Sequence, residues 1–151
     1  MFVFALLSAL LIFLDLLTKR VAVTYLVGGA DFTFIPALLR FIYVENTGAA
    51  FGILQDMRWF LVLVAWVVVL VILWYIISER CRSRLQYYGF IFVFAGSVGN
   101  LINRFLLGYV IDFINIPAAP RFPTFNLADI FINIGVLLLV IYIFKQSGKE
   151  V

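Results

Sequence analysis

The chain reads as an all-α membrane protein: four transmembrane helices with a small extracytoplasmic β element in the first outer connection. Three observations carry that reading. Hydrophobic residues fill 66% of 151 positions, against roughly 45–50% in soluble domains. Charged residues make up only 13%. The apolar residues also gather into four stretches, each near the roughly 20 residues a helix needs to cross a hydrocarbon core about 30 Å thick. Four crossings use most of the chain, so residues 1–151 are expected to form a single membrane domain.

The first span runs from Met1 to about Leu17. It lacks a basic leader and an Ala-x-Ala-like cleavage site, and Asp15 interrupts it, so a retained helix is expected rather than a signal peptide. Residues 18–58 form a long first connection. Its segments Phe32-Thr-Phe-Ile-Pro36 and Leu39-Arg-Phe-Ile-Tyr-Val44 are rich in aromatic and β-branched residues, which suggests short strands on the membrane surface. The second span is Trp59–Ile77, the third Gln86 to about Leu107. Between the third and fourth spans, residues 108–125 carry Pro117, Pro120 and Pro123, which exclude a long regular helix. The fourth span is Leu127–Phe144.

Basic residues orient these spans. Arg80, Arg82 and Arg84 crowd the short link between spans two and three, and Lys145 and Lys149 follow span four. Such density marks the cytoplasmic side, which puts both termini inside. The net charge of +3 comes with no basic stripe, so nucleic acid is not an expected partner. With Cys81 as the sole cysteine there is no intrachain disulfide. With no histidine at all, imidazole catalysis and the usual histidine-containing zinc sites are excluded.

Alternating crossings then bring the end of span one, the start of span two, the end of span three and the start of span four to the same outer face. Most polar residues of interest fall there. Asp15 and Lys19 close span one, Glu45-Asn-Thr-Gly-Ala-Ala-Phe-Gly52 precedes span two, and Asn100, Asn103 and Arg104 end span three. Asp112 follows, and Asn126 and Asp129 open span four.

Each has a purely structural reading. Asp15 and Lys19, one helical turn apart, can neutralise each other. Asn46 and Gly48 suit a turn, and Gly48-x-x-x-Gly52 resembles a helix-packing motif in a loop position that argues against that use. Asn100 and Arg104 share a helix face and can bond between helices. Asn126 followed three residues later by Asp129 is a helix-start pattern, and Asn133 one turn on suits a packing contact. Asp112 has no such reading: it lies in the apolar run Gly108-Tyr-Val-Ile-Asp-Phe-Ile114 with no cation within a helical turn. Charge in such surroundings is costly and points to function.

Should Asp112 and Asp129 approach within hydrogen-bonding distance, they would share one proton and titrate as a pair. One could then take a proton from water while the other polarises a carbonyl, which is the chemistry of an aspartic peptidase. The same pair could bind a divalent metal or relay protons through a small transporter or channel. Serine chemistry is less suited, since Ser97 is in mid-span without histidine and Lys19 would have to act as a neutral base from another helix.

Four motifs in order resemble the bacterial lipoprotein signal peptidases, or signal peptidase II. Asp15-Leu-Leu-Thr-Lys19 resembles the family's first motif and Asn46-Thr-Gly-Ala-Ala-Phe-Gly52 the second. Gly99-Asn-Leu-Ile-Asn-Arg104, with Val110-Ile-Asp-Phe113 after it, resembles the third, and Phe125-Asn-Leu-Ala-Asp129 the last. The resemblance implies that Asp112 and Asp129 are catalytic and that Asn46, Asn100, Arg104 and Asn126 bind substrate or shape the site. Asp15, Lys19, Gly48 and Asn103 take supporting positions. It further implies an aspartic endopeptidase of the bacterial cytoplasmic membrane, cutting a prolipoprotein before a diacylglyceryl-modified cysteine at the outer face. Its partners would be that substrate and membrane lipid, it would act as a monomer, and it would need no metal and no other cofactor. The family commonly has Gln where this chain has Leu16 and Asp where it has Asn103, so an ion pair to Arg104 there is in question. On this reading the first connection is a cradle over the site and the second a lid.

Overall fold

Each long apolar stretch folds as one helix in the computed structural model, which describes residues 1–29, 31–49 and 53–147. The helices are α1 (Phe2–Leu26), α2 (Arg58–Ile77), α3 (Arg84–Leu106) and α4 (Leu127–Ser147), and all four are long and apolar enough to cross a membrane. Gly52 of the loop glycine pair and Lys149 of the basic C-terminal end lie outside the described residues.

The first helix continues to Leu26 rather than ending near Leu17. Polar residues there do not end it, because its buried stripe is itself polar: Phe4, Ser8, Asp15, Lys19, Ala22 and Leu26 recur at three-, four- and seven-residue spacing on one face. Lys19 is 1% exposed and Asp15 is fully buried. In lipid, apolar side chains gain little by leaving the solvent, and small residues and interhelical polar contacts hold helices together. That stripe supplies the polar contacts.

The small residues are on α3, the central helix, which packs against α1, α2 and α4. A Cβ added at Gly135 on α4 would lie 2.7 Å from the Gly89 carbonyl oxygen, and one added at Gly96 would collide with the Ala128 carbonyl. The two backbones therefore touch, and the start of α4 is held tightly against the C-terminal half of α3.

Three antiparallel strands cover one end of the bundle: β1 (Phe32–Ile35), β2 (Leu39–Asn46) and β3 (Val110–Asn115), in that order. The β element is thus not confined to the first connection, as the sequence suggested. The prolines drew attention to the later part of residues 108–125, yet Val110-Ile-Asp-Phe-Ile114 is a β-favouring run that ends before the first of them. Gly108, at φ 93°, makes the left-handed turn that ends α3 and turns the chain into β3. The second connection is also not a free flap. Phe125 exchanges main-chain hydrogen bonds with Ile114, and the Ala118 N–H donates to the Ala37 carbonyl at 2.7 Å.

Candidate active site

Asp112 reaches the site because of strand alternation. In the β2–β3 register Asn46 stands opposite Val110 and Val44 opposite Asp112, so Asn46 and Asp112 are diagonal neighbours on one face of the sheet. The Asn46 amide Nδ2 donates to Asp112 Oδ2 at 2.8 Å. Its own carbonyl accepts from the Gly48 N–H at 2.9 Å, closing a tight turn. A side chain at Gly48 would meet the Ile53 carbonyl at 2.8 Å, which explains glycine there. The Gly48 carbonyl in turn accepts from Arg104 Nη2 at 2.8 Å, tying this turn to the end of α3.

Asp129 arrives by helix capping. Asn126 Oδ1 accepts from the Asp129 N–H at 3.0 Å, and Asp129 Oδ2 accepts from the Asn126 N–H at 3.0 Å. This is a reciprocal capping box, so the helix-start reading of these residues holds. It does not exhaust them. Asn126 is fully buried, and its Nδ2 donates to Asp112 Oδ1 at 2.6 Å and to Asn100 Oδ1 at 3.2 Å. Asp129 Oδ1 accepts from Asn100 Nδ2 at 2.8 Å.

The two carboxylates line a single cavity of about 370 Å³ together with Asn46, Asn100 and Arg104. Ala49, Pro123, Thr124, Phe125 and Asn133 also face it. Asn133, for which a packing role sufficed in the sequence, therefore borders the site, as does the segment around Pro123. Nothing in their residue types marked them, because cavity lining by proline and aromatic residues depends on chain path. Among the described residues no hydrogen bond joins Asp112 to Asp129 directly. The direct contact considered from sequence is replaced by a bridge: Asn126 binds one carboxylate through its side chain and the other through its main chain.

Asp112 is 2% exposed. Burial, reinforced by the negative charge of Asp129, pushes its carboxyl up to about 6, against the opposing pull of the Asn46 and Asn126 hydrogen bonds and of Lys19. Arg104 acts electrostatically on both aspartates, and its Nε has no hydrogen-bond partner among the described residues.

Asp15 and Lys19 do more than neutralise one another. Their ion pair is 2.8 Å long. Asp15 Oδ1 also accepts the Ala128 N–H at 2.9 Å, at the start of α4, and Lys19 Nζ donates to Asn100 Oδ1 at 2.9 Å. A Cβ on Gly99 would strike the Asp15 carboxylate, so that glycine admits α1 to the site. Asn103 stands apart from the cavity. Its Oδ1 accepts the Ile111 N–H at 3.2 Å, which holds β3 one residue before Asp112, so Asn serves as acceptor here with no ion pair to Arg104. Among the described residues no group of three or more His, Cys, Asp or Glu side chains could hold a metal ion.

The site so described matches known proteins along nearly the whole chain. The family model for Signal peptidase (SPase) II matches residues 7–145. A lipoprotein signal peptidase of Clostridium tetani is 36% identical over 92% of this chain and 90% of its own length. That of Clostridium novyi is 38% identical over 90% of this chain and 93% of its own. A solved bacterial membrane enzyme superposes with TM-score 0.92 at 29% identity, covering 100% of this chain and 93% of that one. A second gives TM-score 0.86 at 30% identity, covering 96% and 94%. The four-helix chain with its three-stranded sheet is a multi-pass membrane peptidase, and it belongs to the signal peptidase II family.

Proposed function

We propose that this peptidase, whose family removes signal peptides from prolipoproteins, does so as an aspartic endopeptidase with Asp112 and Asp129 as its dyad. The bond cut is the one preceding a diacylglyceryl-modified cysteine, at the outer face of the bacterial cytoplasmic membrane. The observation that carries this reading is the pair of carboxylates lining one cavity, each oriented by asparagine amides from other segments.

Charge balance favours a dyad holding one proton. Asp15 and Lys19 cancel, which leaves Arg104 facing two carboxylates. One proton on the pair brings the buried site to neutrality. The ionised member takes a proton from water, and the resulting hydroxide adds to the scissile carbonyl carbon while the protonated member gives its proton to the carbonyl oxygen. Collapse of the gem-diol breaks the C–N bond, as the nitrogen receives the proton first taken from water and a hydroxyl of the gem-diol returns a proton to the other carboxylate, which restores the singly protonated dyad. The products are a free carboxylate on the signal peptide and a free amine on the lipidated cysteine.

The membrane supplies the approach. Acyl chains anchored in the bilayer hold the peptide bond near the interface, and the substrate enters sideways from lipid. Both termini, with Arg80, Arg82, Arg84 and Lys145, are assigned to the cytoplasmic side. A proton-coupled transporter is less well supported, because the linked polar residues gather at one end of the bundle instead of continuing through its depth.

The test is incubation of the purified protein in detergent with one prolipoprotein in lipidated and unlipidated forms, reading the products by mass spectrometry. Cleavage immediately before the modified cysteine, dependent on the lipid and unaffected by a chelator, is expected. Cleavage elsewhere, or loss of turnover on chelation, contradicts the proposal.

A further inference from the structure

Three asparagines present their NH2 ends to the two carboxylates, and each must be prevented from turning over, since a flipped carboxamide would set its oxygen against a carboxylate. For two of them the restraint is local. Asn46 has its carbonyl held by the Gly48 N–H and Asn126 by the Asp129 N–H. Asn100 lies inside α3, where neighbouring main-chain N–H groups are already used by the helix ladder. Its carbonyl donors come from other segments: Lys19 Nζ at 2.9 Å and, more distantly, Asn126 Nδ2 at 3.2 Å.

We propose that Lys19 is a positioning residue for catalysis, acting through Asn100: its ammonium holds the Asn100 carbonyl and so aims the Asn100 amide at Asp129. The proposal rests on the aspartic dyad above and adds to it. If Asn100 turned over, its NH2 would face the Lys19 ammonium and its oxygen would face Asp129, giving two repulsive contacts in place of two bonds of 2.9 and 2.8 Å. Lys19 can hold this place because it is 1% exposed and Asp15 fixes it from one turn away at 2.8 Å. The charged groups around it are Asp15 on its own helix, Asp129 from α4 and Asp112 from β3, with Arg104 of α3 acting on the same two aspartates.

Removing Lys19 alone strands a buried Asp15 and can unfold the chain, so the informative variant is Asp15→Asn/Lys19→Met, which removes both charges and keeps a carbonyl to accept the Ala128 N–H. Steady-state turnover of a lipidated prolipoprotein is measured in detergent across pH, beside a melting curve. The expected result is a folded protein with kcat lowered about 10–100-fold, as when the hydrogen-bond partner that orients a metal ligand is removed, with KM within about twofold. The limb of the pH profile governed by Asp112 moves up, because Lys19 favours its ionised form. In an Asn100→Ala background the same double change lowers kcat no further. A folded Asp15→Asn/Lys19→Met protein with wild-type kcat and pH profile overturns the proposal, as does an undiminished loss on top of Asn100→Ala. Asp112→Asn, run alongside, separates the failures: a wild-type rate there removes the dyad and this proposal together. An inactive Asp112→Asn beside a fully active double variant removes the Lys19 role alone.

Discussion

Asn126 Nδ2 lies 2.6 Å from Asp112 Oδ1, the shortest bond to either proposed catalytic carboxylate. The donor is fully buried and caps α4, whereas the acceptor belongs to a strand that follows α3. One asparagine thus sets the position of β3 against the start of α4, and with it the spacing of the dyad.

Asn126→Ala removes the side-chain bonds of that asparagine and keeps its main-chain N–H on Asp129. It leaves Asp112 Oδ1 and the Asp129 N–H without these partners, at a cost of about 1–3 kcal/mol for each buried group left unsatisfied. The expected outcome is a lower melting temperature in detergent together with at least a tenfold loss of kcat. Asn126→Asp should not rescue it, since a third carboxylate would then face Asp112.

The pH response has a definite sign. The Asp112 carboxyl is raised from 3.8 to about 6 in the folded protein, so the folded state binds the proton more tightly than the unfolded one. Its contribution to stability is fully present below pH 3.8 and is lost as pH rises through about 6. Asp112→Asn should therefore raise the melting temperature at pH 8, with the gain shrinking toward pH 4. The size is on the order of 3 kcal/mol at most, at about 1.4 kcal/mol per pKa unit. Chemical denaturation of the two proteins at both pH values checks this.

Asn46→Ala acts on the same group from the other side. The Asn46 hydrogen bond favours ionised Asp112, so without it the carboxyl rises further. The limb of the kcat/KM profile that reports loss of the shared proton should move to higher pH, and a pH–rate series on the folded variant measures the shift.

Gly99→Ala places a methyl group against the Asp15 carboxylate. Overpacking of this kind costs typically 1–3 kcal/mol, and here it would push α1 away from the α3–α4 contact. Lower folded yield and loss of turnover are expected, whereas Gly29→Ala, with open space around it but a positive φ of 93°, should cost stability only locally and leave turnover near wild type.

Much of this arrangement is legible in the sequence. Composition and the length of the apolar runs mark the four helices, and alternation of crossings gathers Asp15, Asn46, Asn100, Asp112 and Asp129 at one end. The β3 strand is masked in the sequence because its four β-favouring residues, Val110, Ile111, Phe113 and Ile114, stand beside three prolines that dominate that connection. The length of α1 escaped notice because Lys19 reads as a span end when its partners are unknown. Its bond to Asn100, 81 residues away, makes it a buried residue. Likewise, residue types leave open whether the two aspartates meet directly, whereas the insertion of Asn126 between them depends on how β3 and α4 meet.

The central claim is that Asp112 and Asp129 together perform the hydrolysis. Its most direct test is the single-turnover rate of Asp112→Asn and Asp129→Asn, each purified, shown to be folded by its melting curve, and given a lipidated prolipoprotein. Loss of at least a thousandfold in both, with substrate binding retained, is the predicted result. A folded single variant that cleaves at the wild-type rate would contradict it.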